Sequence, residues 1–221
     1  MSGAELCITR LSAWAPGIEG AAEWDEWALG KKEMRRSREA PELAYSDPMF
    51  RRRLSQISRM TIQVVHDLYP LGENTKMIFL SFRGEVSRQF RINKMQAEDG
   101  ALMPAAFSLS VFNAPPALAS IALGLKGGYS ALYPGNDSFA SGLSAAKAAL
   151  LSGEELIFVY ADEELPPEYS SLAPDNPPPF AFGLLLSRKP GPVPLPLNGA
   201  EQSPAEFLKT LLVGGNIHVS P

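Results

Sequence analysis

Three apolar runs of seven residues, 76–82 (KMIFLSF), 155–161 (ELIFVYA) and 180–186 (FAFGLLL), constrain this chain more than any other feature. Each is short, lacks polar alternation and is bounded by turn residues, which predicts strands covered on both faces. A sheet buried on two sides needs helices above and below it, so the expected class is α/β. Two shorter strand patterns, 6–11 and 129–133, extend the same sheet.

The intervening stretches carry helix signals. Asp47 can cap a helix with Pro48 at its first position, and Leu54, Ile57, Ile62, Val65 and Leu68 follow at helical spacing. This predicts one long helix, stopped by Pro70 and Gly72. Residues 23–28, with Trp24 and Trp27, predict a short helix or structured loop, and 87–97 a further helix closed by Asp99-Gly100. Pro115-Pro116 permits only a helix start beyond it, at 117–123. The helix predicted over 137–151 is rich in alanine, with small residues Ala140, Ser141, Gly142, Ala145, Ala146 and Ala149. Small side chains allow close backbone approach, as in a central buried helix. Prolines then dominate 190–196, and 203–212 reads as a final amphipathic helix. The expected organisation is one domain over 1–188, followed by a proline-rich segment 189–221 with a short helix.

Charge and cysteine usage narrow the function classes. A net charge of -4 gives no overall electrostatic case for nucleic acid. Basic residues nevertheless cluster at Lys31-Lys32, Arg35-Arg36-Arg38 and Arg51-Arg52-Arg53. Such runs are either a solvated face or a docking surface for an acidic carrier protein. The single cysteine, Cys7, lies in an apolar run and reads as a small buried hydrophobe. With His66 and His218 it completes no ligand spacing, so neither a metal nor a cofactor is expected. No apolar run approaches the about 20 residues that span a bilayer, and a soluble cytoplasmic protein is expected.

Several short motifs occur in an order that resembles one family. They are Ala13-Trp14-Ala15-Pro16-Gly17, Arg52-Arg53-Leu54-Ser55, Phe82-Arg83-Gly84-Glu85 and the run from Pro104 to Ala114 (PAAFSLSVFNA). Ser138-Phe139-Ala140-Ser141-Gly142-Leu143 and Tyr160-Ala161-Asp162-Glu163 complete the set. Together, over roughly residues 4–188, they are similar to the N-terminal, thiolase-fold half of β-ketoacyl synthases. The nearest branch is the short synthase-like proteins of polyketide and aryl polyene pathways, read there as chain-length factors. The resemblance implies a thiolase-like fold, a mixed β-sheet layered with helices around a buried Ala/Gly-rich helix.

A condensing synthase presents a cysteine thiol at a helix N-terminus, where the helix dipole stabilises the thiolate. The corresponding turn here holds Asn136, Asp137 and Ser138, all good helix-capping residues. The two histidines a synthase draws from its C-terminal half have no counterpart motif around His66 or His218. Phe112 stands where related short proteins often carry histidine. Ser138 does not lie in a G-x-S-x-G elbow, which weakens a hydrolase reading.

By the same resemblance, 129–133 should lie near a pseudo-twofold dimer interface. Met103, Phe107, Phe112, Asn113 and Phe139 become candidates for an acyl pocket or its end wall, with ordinary core packing as the alternative. The implied partners are an active β-ketoacyl synthase, as a heterodimer, and an acyl carrier protein docking at Arg51, Arg52 and Arg53. Three functions stay open: a non-catalytic chain-length factor, a carrier-binding or scaffolding module, and a degenerate acyltransferase using Ser138. The sheet face that a second thiolase half would cover must be covered by 180–212 or by a partner.

Overall fold

The computed structural model describes residues 6–100, 104–134, 138–150, 154–172, 176–195 and 202–220, with side chains of 170–172 left aside. Its centre is a six-stranded sheet in the order β3-β2-β4-β5-β1-β6. The strands are β1 (Cys7–Trp14), β2 (Lys76–Leu80), β3 (Tyr129–Leu132), β4 (Glu155–Asp162), β5 (Phe180–Ser187) and β6 (Val193–Pro194). Parallel pairing joins β2 to β3 and β4, whereas β5 is antiparallel to β4 and β1.

The apolar runs alternate between two cores. From β4, Leu156, Phe158 and Tyr160 point to one side and Ile157, Val159 and Ala161 to the other. The first side is roofed by α1 (Gly20–Ala28), α7 (Phe139–Leu150) and α8 (Pro204–Val213), the second by α3 (Gln56–His66) and α6 (Ala114–Leu123). A strand covered on both sides has no polar face to show, which is why its sequence does not alternate.

The long helix expected from Asp47 is two helices, α2 (Pro48–Arg51) and α3. Asp47 caps the first through the amides of Met49 and Phe50, at 2.9 and 3.0 Å. Ser55 caps the second through Ser58 N at 3.2 Å. A second capping residue inside one helical pattern offers the backbone a competing start, and here it is taken. Between α3 and β3 the chain forms α4 (Val86–Asp99), α5 (Pro104–Phe107) and α6. Helix α6 includes both Pro115 and Pro116 in its first turn, where their missing N–H groups have no intrahelical partner to lose.

Helix α7 lies on the sheet by one stripe: Phe139, Gly142, Leu143, Ala146 and Leu150 are buried, while Ser141, Ser144, Lys147 and Ala148 are exposed. A Cβ on Gly142 would stand 2.7 Å from Leu80 Cδ2, so glycine sets how closely the helix approaches β2. The proline-rich C-terminal segment joins the same core. Val193 and Pro194 pair with Ile8 and Cys7. Phe207, Leu208, Leu211 and Leu212 of α8 are buried beside α1 and α7. The ring of Phe207 stands 5.1 Å from Phe139 and 6.0 Å from Phe182. Phe207→Ala is therefore expected to cost about 3–5 kcal/mol in urea denaturation. A loss below about 1 kcal/mol would mean that α8 is not part of the core.

Candidate functional site

The parallel strands β2 and β4 both deliver their C-terminal ends to one edge of the sheet, and the polar residues collect there. Asp162, at the end of β4, is buried. Its Oδ1 accepts from Ser81 Oγ at 2.6 Å and from the amides of Phe82 and Arg83 at 3.0 Å each. Its Oδ2 accepts from Tyr160 Oη at 2.8 Å. Burial raises the pKa of this carboxyl, against the nearby Arg83 guanidinium and the hydrogen bonds that lower it. Ser81 Oγ in turn accepts from Gly84 N at 2.7 Å. The segment after β2 is thus pinned to the segment after β4, side chain by side chain.

Gly84 is required at this turn. Its φ is +56°, and a Cβ there would sit 2.6 Å from the ring of Phe112. The next residue, Glu85, is fully buried and accepts from Ser55 Oγ at 2.6 Å and Ser58 Oγ at 2.7 Å. Arg88 Nε lies 3.1 Å from its other oxygen, and Arg88 Nη2 donates to Arg53 O at 2.8 Å. Glu163 accepts from Ser87 N at 2.8 Å. Burial, and then the charge of Glu85, push the Glu163 carboxyl up to about 8, so it is neutral at pH 7. These bonds tie together the N-termini of α3 and α4 and the end of β4. Above them opens a cavity of about 790 Å³.

The residues singled out in the sequence fall into separate places. Asn136, Asp137 and Met103 lie outside the described residues. Ser138 is half-buried just before α7, and its carbonyl accepts from Ser141 Oγ at 2.7 Å. Phe139 is 2% exposed and packs edge-on against Phe158 and Tyr160, within the aromatic core. Phe112 packs against Phe79 at 6.2 Å. Asn113 Nδ2 donates to Tyr129 Oη at 3.4 Å, joining the start of α6 to β3. Phe107 is 60% exposed and, with Ile92, Ser110 and Val111, lines a second cavity of about 320 Å³.

Arg52 and Arg53 are exposed on the rim of the large cavity. Arg51 instead turns inward, donating to the carbonyls of Glu42 and Leu43. His66 stacks on Tyr45 at 3.7 Å with Nδ1 3.1 Å from Asp67 Oδ1, and His218 is exposed beyond α8. Cys7 is buried on β1. No group of His, Cys, Asp and Glu among the described residues could hold a metal ion. None of the described helices is long and apolar enough to cross a membrane.

Sequence reading did not anticipate the Asp162 and Glu163 bonds. The available signal was a pair of acids ending an apolar strand, a costly place for charge unless it is bonded or neutral.

The model of the β-ketoacyl synthase N-terminal domain matches residues 24–209. No curated protein matches this chain in sequence. Among solved structures, one chain of the ketosynthase ApeO in complex with its chain length factor ApeC, from Xenorhabdus doucetiae, is 27% identical with a TM-score of 0.78. The match covers 95% of this chain and 92% of that one. The ishigamide ketosynthase/chain length factor is 13% identical with a TM-score of 0.65, over 83% of this chain and 62% of that one. The AntDE:AntF complex, a type II acyl-carrier protein with its ketosynthase, is 14% identical with a TM-score of 0.60. There the match covers 84% of this chain and 63% of that one, and at this identity the likeness concerns the fold.

Proposed function

Since the chain belongs to the β-ketoacyl synthase N-terminal domain family, we propose that it is a chain-length factor: a ketosynthase-like subunit that pairs with an active β-ketoacyl synthase and shapes its acyl pocket without performing the condensation. The pathway class in view is fatty acid or polyketide assembly of the aryl polyene type. The turn that precedes α7, where a synthase carries its cysteine thiolate, offers only the hydroxyl of Ser138 among its described residues.

The observation that carries the pairing is the open edge at β3. This strand ends the sheet, and β2 occupies only its inner side. Met77 N donates to Gly128 O and Ser81 N to Leu132 O, so even-numbered residues of this stretch direct their backbone groups inward. The N–H and C=O of Tyr129 and Ala131 therefore point outward, where a partner strand can bond them. Tyr129 and Tyr133 are exposed on this strand and just after it, and so is Ile121 on α6. Exposed aromatics beside an unpaired edge suit a protein partner better than water.

In this reading Phe107, projecting from α5 beside the smaller cavity, is the pocket residue that reaches the partner. Phe112 and Asn113, which lead into α6, are the further pocket candidates on this side of the sheet. Phe139 instead packs in the core on the opposite side and does not reach it. An added bulky side chain shortens the space for a growing chain because overpacking costs about 1–3 kcal/mol. The exposed Arg52 and Arg53, with Arg51 behind them, present the basic surface for an acyl carrier protein.

Co-expression with a candidate ketosynthase tests the reading. A stable 1:1 complex with altered product length supports it, and failure to associate with any ketosynthase sinks it. Ala131→Pro deletes an outward N–H while sparing the β2 ladder. It is expected to abolish co-purification of the ketosynthase with little change in the melting temperature of the isolated chain. Retained co-purification would move the interface away from β3.

A further inference from the structure

Residues 33–43 form neither helix nor strand, and they run beside α3. Side chains hold them there by their carbonyls. Gln56 Nε2 donates to Ser37 O at 2.8 Å and to Glu39 O at 2.6 Å. Arg59 Nη1 donates to Pro41 O at 3.3 Å, and Arg51 Nη1 to Glu42 O at 3.1 Å and Leu43 O at 3.4 Å. Arg36 donates to Asn176 O and stands 3.8 Å from Glu164. Bonds between backbone groups are few. Among the described residues, Arg35 N donates to Pro16 O and Ser46 N to Leu43 O.

Burial is equally sparse, since from 33 to 46 only Pro41 and Leu43 are buried. Leu43 is 1% exposed and packs in the core that α3 covers. Its φ is +52°, in the left-handed region, where the Cβ of an L-residue crowds a backbone carbonyl. Among the described residues it is the one non-glycine residue with positive φ. The buried side chain and the Arg51 bond hold a backbone shape that leucine disfavours by itself.

The two ends of this run close different cavities. Arg38 lines the large one together with Gln56. Pro41 and Glu42 line another, of about 340 Å³, with Gln63, Trp14 and Trp24. Gln56 and Gln63 lie two turns apart on α3 and share a face. The stretch 38–42 therefore stands between the two cavities along one side of that helix.

We propose that residues 36–43 are a releasable strap, which lifts from α3 as one unit and joins the two cavities into a continuous groove along Gln56, Arg59 and Gln63. A segment held by two buried side chains and a set of carbonyl clips lacks the burial that protects the sheet strands. Release also frees Leu43 from the left-handed region, which offsets part of the lost contacts. The motion belongs to this chain alone and stands whether or not it pairs with a ketosynthase.

Thiol labelling of the full chain with N-ethylmaleimide, read by intact mass, tests it. In a Cys7→Ala background, Leu43→Cys places a thiol under the strap. Val159→Cys places one in the middle of β4, where only unfolding of the sheet exposes it. The thiol at 43 is expected to react at least about a hundredfold faster than the thiol at 159. Adding Phe207→Ala destabilises the far side of the sheet. It should speed the thiol at 159 by about a hundredfold or more and leave the thiol at 43 within about twofold. Adding Arg51→Ala/Gln56→Ala removes four carbonyl clips and should speed the thiol at 43 by about tenfold or more. Equal reactivity at the two positions, or parallel acceleration of both by Phe207→Ala, means that the strap opens only with the whole fold and overturns the proposal. No acceleration in the Arg51→Ala/Gln56→Ala variant overturns it as well. Should Leu43→Cys fail to fold, Pro41→Cys, at the strap's other buried residue, carries the same comparison.

Discussion

Asp162→Ala is expected to lower folding stability by about 3–5 kcal/mol, measured by urea denaturation at pH 7. The alanine removes the acceptor of four donors at once: Ser81 Oγ, Phe82 N, Arg83 N and Tyr160 Oη. Asp162 is 2% exposed, so water does not readily replace it. The donors would remain buried without partners, and each orphan of that kind costs about 1–3 kcal/mol. Asp162→Asn keeps an oxygen for the three donors on Oδ1 and can donate its amide to Tyr160 Oη, so it should cost much less. A small loss in the alanine variant, or equal losses in both, would show that the carboxylate does not hold the two segments together. Because Ser81 and Gly84 precede α4, the alanine variant should also release amide-exchange protection over 81–87 before that of β4.

Stability should fall as pH rises from about 5 to about 8.5, and Glu163 should account for much of the slope. The folded protein holds the Glu163 proton up to about 8, because burial and the Glu85 charge disfavour the carboxylate, whereas the unfolded chain releases it near 4.5. Between those values the folded state binds more protons, so stability is fully present below 4.5 and is lost as pH climbs through 8. At 1.36 kcal/mol per pH unit the effect is on the order of 4 kcal/mol. Burial likewise raises the pKa of Asp162, which adds a slope of the same sign at the acid end. Glu163→Gln keeps an oxygen for Ser87 N and has no charge to desolvate. It should flatten the profile and stabilise the protein at pH 8. An unchanged slope in that variant would assign the pH dependence to other groups.

The layered α/β fold was legible because its evidence is local. Residues 77–80, 156–161 and 180–186, around Phe79, Phe158 and Phe182, carry no charged or hydroxyl side chain except Tyr160, and only a strand covered on both faces asks for that. Family membership was legible as well, since short motifs keep their order even where overall identity is low. Helix limits were less so. Asp47 and Ser55 are both good caps within one apolar pattern, and the sequence does not say that both are used. The reach of the C-terminal segment was also hidden, because proline-rich texture masks that Val193 pairs with Ile8 and that Phe207 enters the aromatic core.

By itself, then, the sequence determined the burial of the sheet and that Cys7 is the chain's single cysteine, both of which are questions of residue type. The tertiary structure decided where the charges meet. Asp162 bonds Phe82 from 80 positions away, and Arg53 meets Arg88 from 35. No local pattern encodes such separations. They exist because parallel strands deliver distant loops to one edge of the sheet, and there the acids become hydrogen-bond hubs while the arginines surround an open cavity.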